Sequence, residues 1–291
     1  MAFSLLLISV ILLYRKTLLL TIGSFSAPLA NMSHGWLIPV ISVLAIWKQR
    51  VRLKTVEKCY SLIGIFSGFA FLSLLWFGNG HSLLWLSQLS FIGMLWSLVY
   101  AIWGRDVAKL ALFPIWYLVF TVSISLILDD LILQLQGISS TAGFYLMHGF
   151  GFEIFQQGNA LLSGIEGSEF QFSIAGACSG IRSLIALTAF TAAYAWYTQR
   201  TVLKKWLLFA CSIPIAILCN IIRVFSICLV AAIFGQETAV GYYHDYSGYV
   251  IVLFSILFIF QCGNQINFVT TQVGVLREER GNREWTRIDA N

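Results

Sequence analysis

Residues 207–234 read LLFACSIPIAILCNIIRVFSICLVAAIF, and this stretch decides the fold. Its only charged residue is Arg223. A helix needs roughly 20 mostly apolar residues to cross the hydrocarbon core of a bilayer, and this run is longer than that. The stretch therefore predicts a transmembrane helix that carries a cation inside it.

The composition of the whole chain agrees with a membrane protein. Of its 291 residues, 58% are hydrophobic and 11% are charged, and the mean hydropathy is +0.82. Soluble domains are about half apolar and about a quarter charged, so lipid must cover much of this surface. Further apolar runs predict spans at residues 36–47, 59–77, 83–103, 110–128, 179–198 and 246–262, with one more in the first 30 residues. We therefore expect an all-α polytopic transmembrane bundle of about eight spans over residues 1–262.

The positions of the charges predict the orientation. The net charge is +5, and the basic residues concentrate in short loops and in the tail, residues 263–291. Such segments are cytoplasmic by the positive-inside rule, so we expect a multi-pass membrane protein that binds no nucleic acid. At the N-terminus, Arg15 and Lys16 divide the first apolar stretch, so that a span either ends before them or begins after them.

The largest interruption of the apolar pattern, residues 129–177, is predicted to be an extracytoplasmic loop region between spans five and six. Its first part, residues 131–148, has the mixed pattern of an interfacial helix. Residues 161–174 predict a short extended hairpin that turns at Glu166, Gly167 and Ser168. This loop region is either a recognition surface or a plain connection.

Cys178 is the first candidate for chemistry. It opens an apolar helix after the loop region, where unpaired N–H groups and the helix dipole favour a thiolate. Arg182 follows four residues later on the same helical face, and small neighbours such as Ser179 leave room for a substrate. The other five cysteines fit packing roles. Without a CxxC pair or histidines at ligand spacing, we expect no metal and no cofactor.

Asn220 and Arg223 form the second candidate group. They are three residues apart and therefore share one face of a helix. An arginine inside an apolar span is costly unless it faces a cavity or a partner, and its donors suit a carboxylate or a developing oxyanion. A structural ion pair or snorkelling is the alternative.

His244 is the third candidate, at the predicted outer start of the last span, with Asp245 as a possible N-cap. Because consecutive spans alternate in direction, Cys178, Arg223 and His244 can all reach one extracytoplasmic pocket. A thiol, an imidazole and a cation are the minimum set for acyl transfer from a peptide.

Four sequence segments together resemble the exosortase/archaeosortase family. They are Ala177-Cys178-Ser179-Gly180-Ile181-Arg182-Ser183, Asn220-Ile221-Ile222-Arg223-Val224, His244 with Gly248, and Ser33-His34-Gly35-Trp36-Leu37-Ile38-Pro39 followed by Trp47-Lys48-Gln49-Arg50. The resemblance implies a cysteine transpeptidase of the cell's cytoplasmic (inner) membrane, with Cys178 as nucleophile, Arg223 as stabiliser and His244 as acid/base. Histidine rather than arginine at position 244 favours the bacterial branch.

The resemblance also implies a partner, namely a membrane protein with a C-terminal sorting signal: a motif such as Pro-Glu-Pro, one span and a basic cluster. Arg182, Asn220, Ser179 and His34 are then supporting or substrate-contacting residues. Two other functions stay open. One is a transporter or channel in which Arg223 lines a path for an anionic solute, and the other is a non-catalytic scaffold or lipid-binding protein.

Overall fold

Helices form nearly all of the regular structure in residues 2–26, 33–123, 125–163, 170–173 and 181–288, which are the residues that the structure, a computed structural model, describes. Among these described residues, four helices are long and apolar enough to cross a bilayer, and a bent helix pair at the N-terminus makes up to five by length and composition. The protein is therefore an all-α helical membrane protein, whereas the total of eight spans stays a prediction. The chain divides into two compact units, Met1–Asp130 and Leu131–Asn291.

Unit 1 is built from helices. They are α1 (Ala2–Leu13), α2 (Arg15–Ser26), α3 (Leu37–Lys48), α4 (Arg50–Thr55), α5 (Leu62–Gly80) and α6 (Leu84–Trp116), with 3-10 turns at Ser33–Trp36 and Tyr117–Thr121. The first apolar stretch is bent by 68° between α1 and α2. Tyr14 lies at this bend, is completely buried, and places its hydroxyl group 2.6 Å from that of Ser90. Arg15 and Lys16 thus begin the second helix of this bent pair.

The chain reverses direction inside α6, at Gly104. This glycine has φ +83° and ψ −176°, a conformation that side-chain-bearing residues rarely adopt. Trp96 Nε1 donates to the carbonyl oxygen of Ala108 at 3.0 Å, and the amide of Gln88 lies 3.3 Å from the Ser123 hydroxyl. In a continuous helix, Gln88 and Ser123 would be about 52 Å apart. The segments before and after Gly104 therefore form a helical hairpin.

The first arm of this hairpin runs beside α5 and the second beside α3. Ser61, directly before α5, donates its N–H to the carbonyl oxygen of Ala101 at 3.0 Å. Gln49, directly after α3, donates from Nε2 to the carbonyl oxygen of Leu110 at 2.8 Å. The two arms lie where the sequence predicts spans at residues 83–103 and 110–128, and the crossing of the membrane by each arm separately stays a prediction.

The second arm ends earlier than its predicted span, residues 110–128. Helical structure stops at Thr121, and Val122 has an extended backbone. The cause is Gln88, which is almost fully buried and accepts the Ser123 N–H at its side-chain oxygen at 2.8 Å. A buried side chain thus replaces the next helical hydrogen bond, a contact that hydropathy does not reveal.

The next part of the chain supplies the candidate site. Its elements are α7 (Ser125–Gly149), β1 (Ile154–Gln157), β2 (Ala160–Ser163), β3 (Phe170–Ser173), α8 (Ile181–Thr198), α9 (Val202–Phe234) and α10 (His244–Ile288), with a helical turn at Gln236–Thr238 and a π-helical turn at Ala239–Tyr243. In unit 2, α8, α9 and α10 pack against one another. Their core contains Leu187, Leu208 and Ile259.

The strands form one antiparallel sheet in the order β1-β2-β3. The predicted hairpin is present as β2 and β3, with Ala160 opposite Ser173, while its predicted turn lies outside the described residues. The sequence did not predict β1, which joins β2 through a turn at Gly158, where φ is +60°. Ile154 and Leu161 are buried against α7 and α9, so the sheet has one face in the core.

The last helix is longer than predicted. The sequence indicates a span at residues 246–262 and then a polar tail, but α10 continues without a break to Ile288. The tail is rich in arginine and glutamate, which have a high helix propensity, so a polar sequence can extend the helix beyond its apolar part.

Candidate functional site

Helix α9 carries Asn220 and Arg223 in an otherwise apolar sequence. Their spacing of three residues brings both side chains to one side of the helix. Asn220 is buried and Arg223 is half-buried. Arg223 lies about 17 Å from the end of α9 at Phe234 and about 32 Å from its start at Val202. The cation is therefore in the half of the helix that is predicted to be extracytoplasmic.

The guanidinium group of Arg223 contacts His244, the first residue of α10. Its Nη2 atom lies 3.3 Å from Nε2 of the imidazole and donates to the His244 carbonyl oxygen at 3.2 Å. A guanidinium can only donate, so a hydrogen bond to Nε2 requires a neutral ring that keeps its proton on Nδ1. Two residues that the sequence assigns to one pocket are thus in direct contact.

The connection before α10 brings His244 back to α9. Helix α9 ends at Phe234 and is followed by Gly235, which has φ +88°, and the chain then makes the helical turn Gln236–Thr238 and the π-helical turn Ala239–Tyr243. Helical backbone therefore begins before His244. The prediction that Asp245 caps the last helix is wrong, because this residue already lies inside the helical run.

Gly248 gives the guanidinium the space that it occupies. It lies four residues after His244, one turn along α10. A Cβ atom at this position would be 3.3 Å from Nη2 and 3.7 Å from Cζ of Arg223. The arginine therefore rests against bare backbone, and a larger residue would push it away from the imidazole.

Arg223 keeps donors for a further ligand. Its Nε atom is buried and has no hydrogen-bond partner in the part of the chain that the structure describes. Among the described side chains, no carboxylate forms a salt bridge with this arginine. The group is a cation with no described carboxylate partner and with an unused donor, an arrangement that suits an anion or a developing oxyanion.

A buried hydrogen bond attaches Asn220 to α7. Its Nδ2 donates to the Ser139 hydroxyl at 2.8 Å, and both side chains are buried. The next residue of α7, Ser140, accepts a hydrogen bond from Gln156 of β1 at 2.9 Å. Helix α7 therefore connects the sheet to the helix that carries Arg223. Ser139 was not predicted as a site residue, since a Ser-Ser pair in an amphipathic stretch is a weak signal.

Helix α8 enters the bundle close to these residues. Leu184, in its first described turns, lines a small cavity with Ser139 and Asn220. Cys178 and Ser179 lie outside the described residues. The backbone of Arg182 belongs to the first turn of α8, while its side chain is outside the described part. The start of α8 thus lies at the level of Asn220, one turn from Arg223.

A second cavity, of about 50 Å³, lies between α8, α9 and α10. Ser183, Cys219 and Val252 contribute one side each, and the rest of the lining is largely apolar. Cys219 precedes Arg223 by one turn, and Val252 follows Gly248 by one turn. The cavity is therefore adjacent to the contact between arginine and histidine.

His34 belongs to unit 1 and is described with that unit. It lies in the 3-10 turn Ser33–Trp36 before α3, and both of its ring nitrogens are shielded from solvent. Among the described residues, no three His, Cys, Asp or Glu side chains are arranged to hold a metal ion.

Comparison with known proteins gives one match. The sequence pattern of the transmembrane exosortase family (Exosortase_EpsH) matches residues 26–261, which include the hairpin of unit 1, the sheet, and the contact between Arg223 and His244. No curated protein and no solved structure matches the chain. The matched region covers most of the sequence, so the chain belongs to the transmembrane exosortase family.

Proposed function

We propose that this protein is a membrane cysteine transpeptidase that cleaves C-terminal sorting signals of exported proteins through a thioacyl intermediate. Family membership supports a sorting transpeptidase at the level of the family. The observation that carries the finer proposal is the environment of Arg223. Its Nη2 atom contacts His244, its Nε atom has no partner among the described residues, and no described carboxylate neutralises its charge.

The reaction begins with proton transfer from the Cys178 thiol to His244. The thiolate sulfur attacks the scissile carbonyl carbon, a C–S bond forms, and the carbonyl oxygen becomes an oxyanion. Arg223 stabilises this charge through its buried donors. When the C–N bond breaks, the imidazolium returns its proton to the leaving amine, and a thioester remains on Cys178. Water or an amine then releases the acyl group.

The contact between Arg223 and His244 couples substrate binding to base activation. In the free enzyme, Nη2 occupies the lone pair of Nε2 at 3.3 Å. When a carbonyl oxygen enters the pocket, the guanidinium turns towards that oxygen before the thiol loses its proton. This movement releases Nε2, which can then accept the thiol proton. The base is therefore active only when a carbonyl group is in place.

The substrate is proposed to be a membrane protein whose C-terminal segment contains a short motif, one span and a basic cluster. The pocket opens on the extracytoplasmic side in the predicted topology, where the motif of an exported protein would be placed. The transporter or channel for an anionic solute has the same requirement for Arg223. It has no requirement for a thiol, which makes Cys178 the discriminating residue.

The test is co-expression with an exported protein that ends in such a signal, with intact mass spectrometry of the product. Cys178→Ala should insert normally and abolish processing. Cys59→Ala is the matched control, because it removes a thiol in unit 1, and it should process at the wild-type rate. Hydroxylamine added to wild-type membranes should give a product with a C-terminal hydroxamate, which reports the thioester.

If Cys178→Ala processes the substrate fully, Cys178 is not the nucleophile and the proposal of a cysteine transpeptidase fails. Loss of a solute flux in Arg223→Ala together with normal flux in Cys178→Ala would identify the transporter instead.

A further inference from the structure

A basic surface in unit 1 consists of the connection between α3 and α5 and the turn of the α6 hairpin. Seven cations lie on it, against two carboxylates, Glu57 and Asp106. The cations are Lys48, Arg50, Arg52, Lys54, Lys58, Arg105 and Lys109, and each of them is exposed. Cytoplasmic loops of any membrane protein are rich in lysine and arginine, so the number alone does not define a binding site.

The backbone of this surface is fixed at several points. Gln49 donates to the Leu110 carbonyl oxygen at 2.8 Å, and Ser61 donates to the Ala101 carbonyl oxygen at 3.0 Å. Between them, α4 winds the most basic part of the connection into a short helix. Two segments that are distant in sequence are thereby held as one surface with a defined arrangement of charges.

Most of the cations on this surface are not neutralised within the protein. Lys109 forms a salt bridge to Asp106 at 3.1 Å. Arg52, Lys54, Lys58 and Arg105 have no salt-bridge partner among the described residues. Their charge is therefore available to an external anion.

Aromatic and apolar side chains accompany these cations. The guanidinium of Arg50 lies 4.3 Å from the ring centroid of Trp47, which is 61% exposed. Tyr60 is 89% exposed and Val51 is 65% exposed. Tryptophan and tyrosine favour the headgroup region of a bilayer, and this surface lies directly at the end of α3 and at the start of α5. Such a combination fits a lipid headgroup with acyl chains better than a free ion in water.

We infer that this basic surface is a binding site for anionic phospholipid headgroups in the leaflet that the topology predicts to be cytoplasmic. Clusters of four to eight basic residues next to a span attract anionic lipids, with a gain of about fivefold in affinity for each cation. Bound lipid would neutralise the surface and hold the ends of α3, α5 and the α6 hairpin at one depth. The inference uses no residue of the proposed active site.

The test uses the full chain in neutral detergent micelles, titrated with phosphatidylglycerol or phosphatidylcholine, with native mass spectrometry to count bound lipids. We expect phosphatidylglycerol to bind at least tenfold more tightly than phosphatidylcholine. The triple variant R52Q/K54Q/K58Q should lose at least tenfold in phosphatidylglycerol affinity. The variant R52K/K54R/K58R, which keeps the charges, should bind within about threefold of wild type.

A matched control removes three cations elsewhere, as R277Q/R280Q/R283Q in the tail part of α10, and should leave phosphatidylglycerol affinity unchanged. Equal losses in the two triple variants would show attraction by net charge and overturn the site. Wild-type binding by R52Q/K54Q/K58Q would also overturn it. Displacement of the lipid by millimolar inorganic phosphate would assign the surface to a free anion rather than to a headgroup.

Discussion

The substitution Gly248→Ala tests the proposed active site with a single methyl group. The added Cβ would lie 3.3 Å from Nη2 and 3.7 Å from Cζ of Arg223. The first distance is shorter than an ordinary van der Waals contact, so the guanidinium must move by a few tenths of an ångström. It would move relative to His244, which it contacts through the same Nη2 atom.

The expected effects on stability and on catalysis have opposite signs. Alanine is favoured over glycine inside a helix by about 1 kcal/mol, so the free energy of unfolding should not fall by much and can rise. Misplacement of a catalytic group by about 1 Å can cost about 100-fold in rate, so a few tenths of an ångström should lower kcat about three- to tenfold. A folded enzyme with reduced turnover is therefore the expected result.

The assay is single-turnover processing of a sorting-signal substrate in proteoliposomes, with unfolding followed by denaturant titration. Gly241→Ala is the matched control, because it lies in the π-helical turn near His244 and a Cβ there meets nothing within 4 Å. It should keep kcat within about twofold of wild type. Equal, wild-type rates for both variants would refute the reasoning that the arginine works from its present position.

Three further predictions concern single contacts. Arg223→Gln should lower the rate of processing about 100- to 1000-fold, the usual cost of a lost oxyanion donor. In the same variant, iodoacetamide should alkylate Cys178 at least as fast as in wild type, because the imidazole of His244 is released, and slower alkylation would contradict the coupling between Arg223 and His244. Asn220→Leu and Ser139→Ala, combined in a double-mutant cycle of unfolding, should show a coupling of about 0.6–1.7 kcal/mol, and strict additivity would mean that their hydrogen bond contributes nothing. Gly104→Ala should destabilise unit 1 by more than about 2 kcal/mol, because φ is +83° at this position and the new Cβ would lie 2.8 Å from the Cys59 carbonyl oxygen. A wild-type midpoint of unfolding would contradict the hairpin.

Patterns of one helix were readable from the sequence, whereas contacts between helices were not. The sequence indicated a functional role for Arg223, because a cation within an apolar span has a high free-energy cost. Its contact with His244 followed only in outline, since the alternation of spans predicts a shared side of the membrane and not a distance. The hydrogen bond that Asn220 donates to Ser139 could not be predicted, because a serine in an amphipathic helix has many possible partners.

The boundaries of the helices show the same division. Gly104 and the short connection around it gave two separate apolar runs, so the hairpin was predictable as two spans. The early end of the second arm was not, because it depends on a glutamine 35 residues away that accepts the Ser123 N–H. The last helix shows the opposite difference, because α10 is longer than its predicted span and continues through residues 263–288. A polar sequence can be helical, since helix propensity does not depend on hydrophobicity.

The charge of Arg223 is the feature that the remaining geometry has to explain. A buried cation is normally paired with a carboxylate, and replacing one partner of such a pair is costly. Here the described partners are an imidazole ring and a carbonyl oxygen, which orient the guanidinium, and neither is a carboxylate that would cancel its charge. In the part of the chain that the structure describes, the charge of Arg223 therefore has no carboxylate partner in the resting state. The charge of Arg223 is neutralised only when negative charge appears in the pocket. An oxyanion that exists only during bond rearrangement gains the most from this cation, because the interaction is then stronger in the transition state than in the ground state. A site built for a stable anionic solute would bind that solute tightly and release it slowly, which favours the enzyme over the transporter.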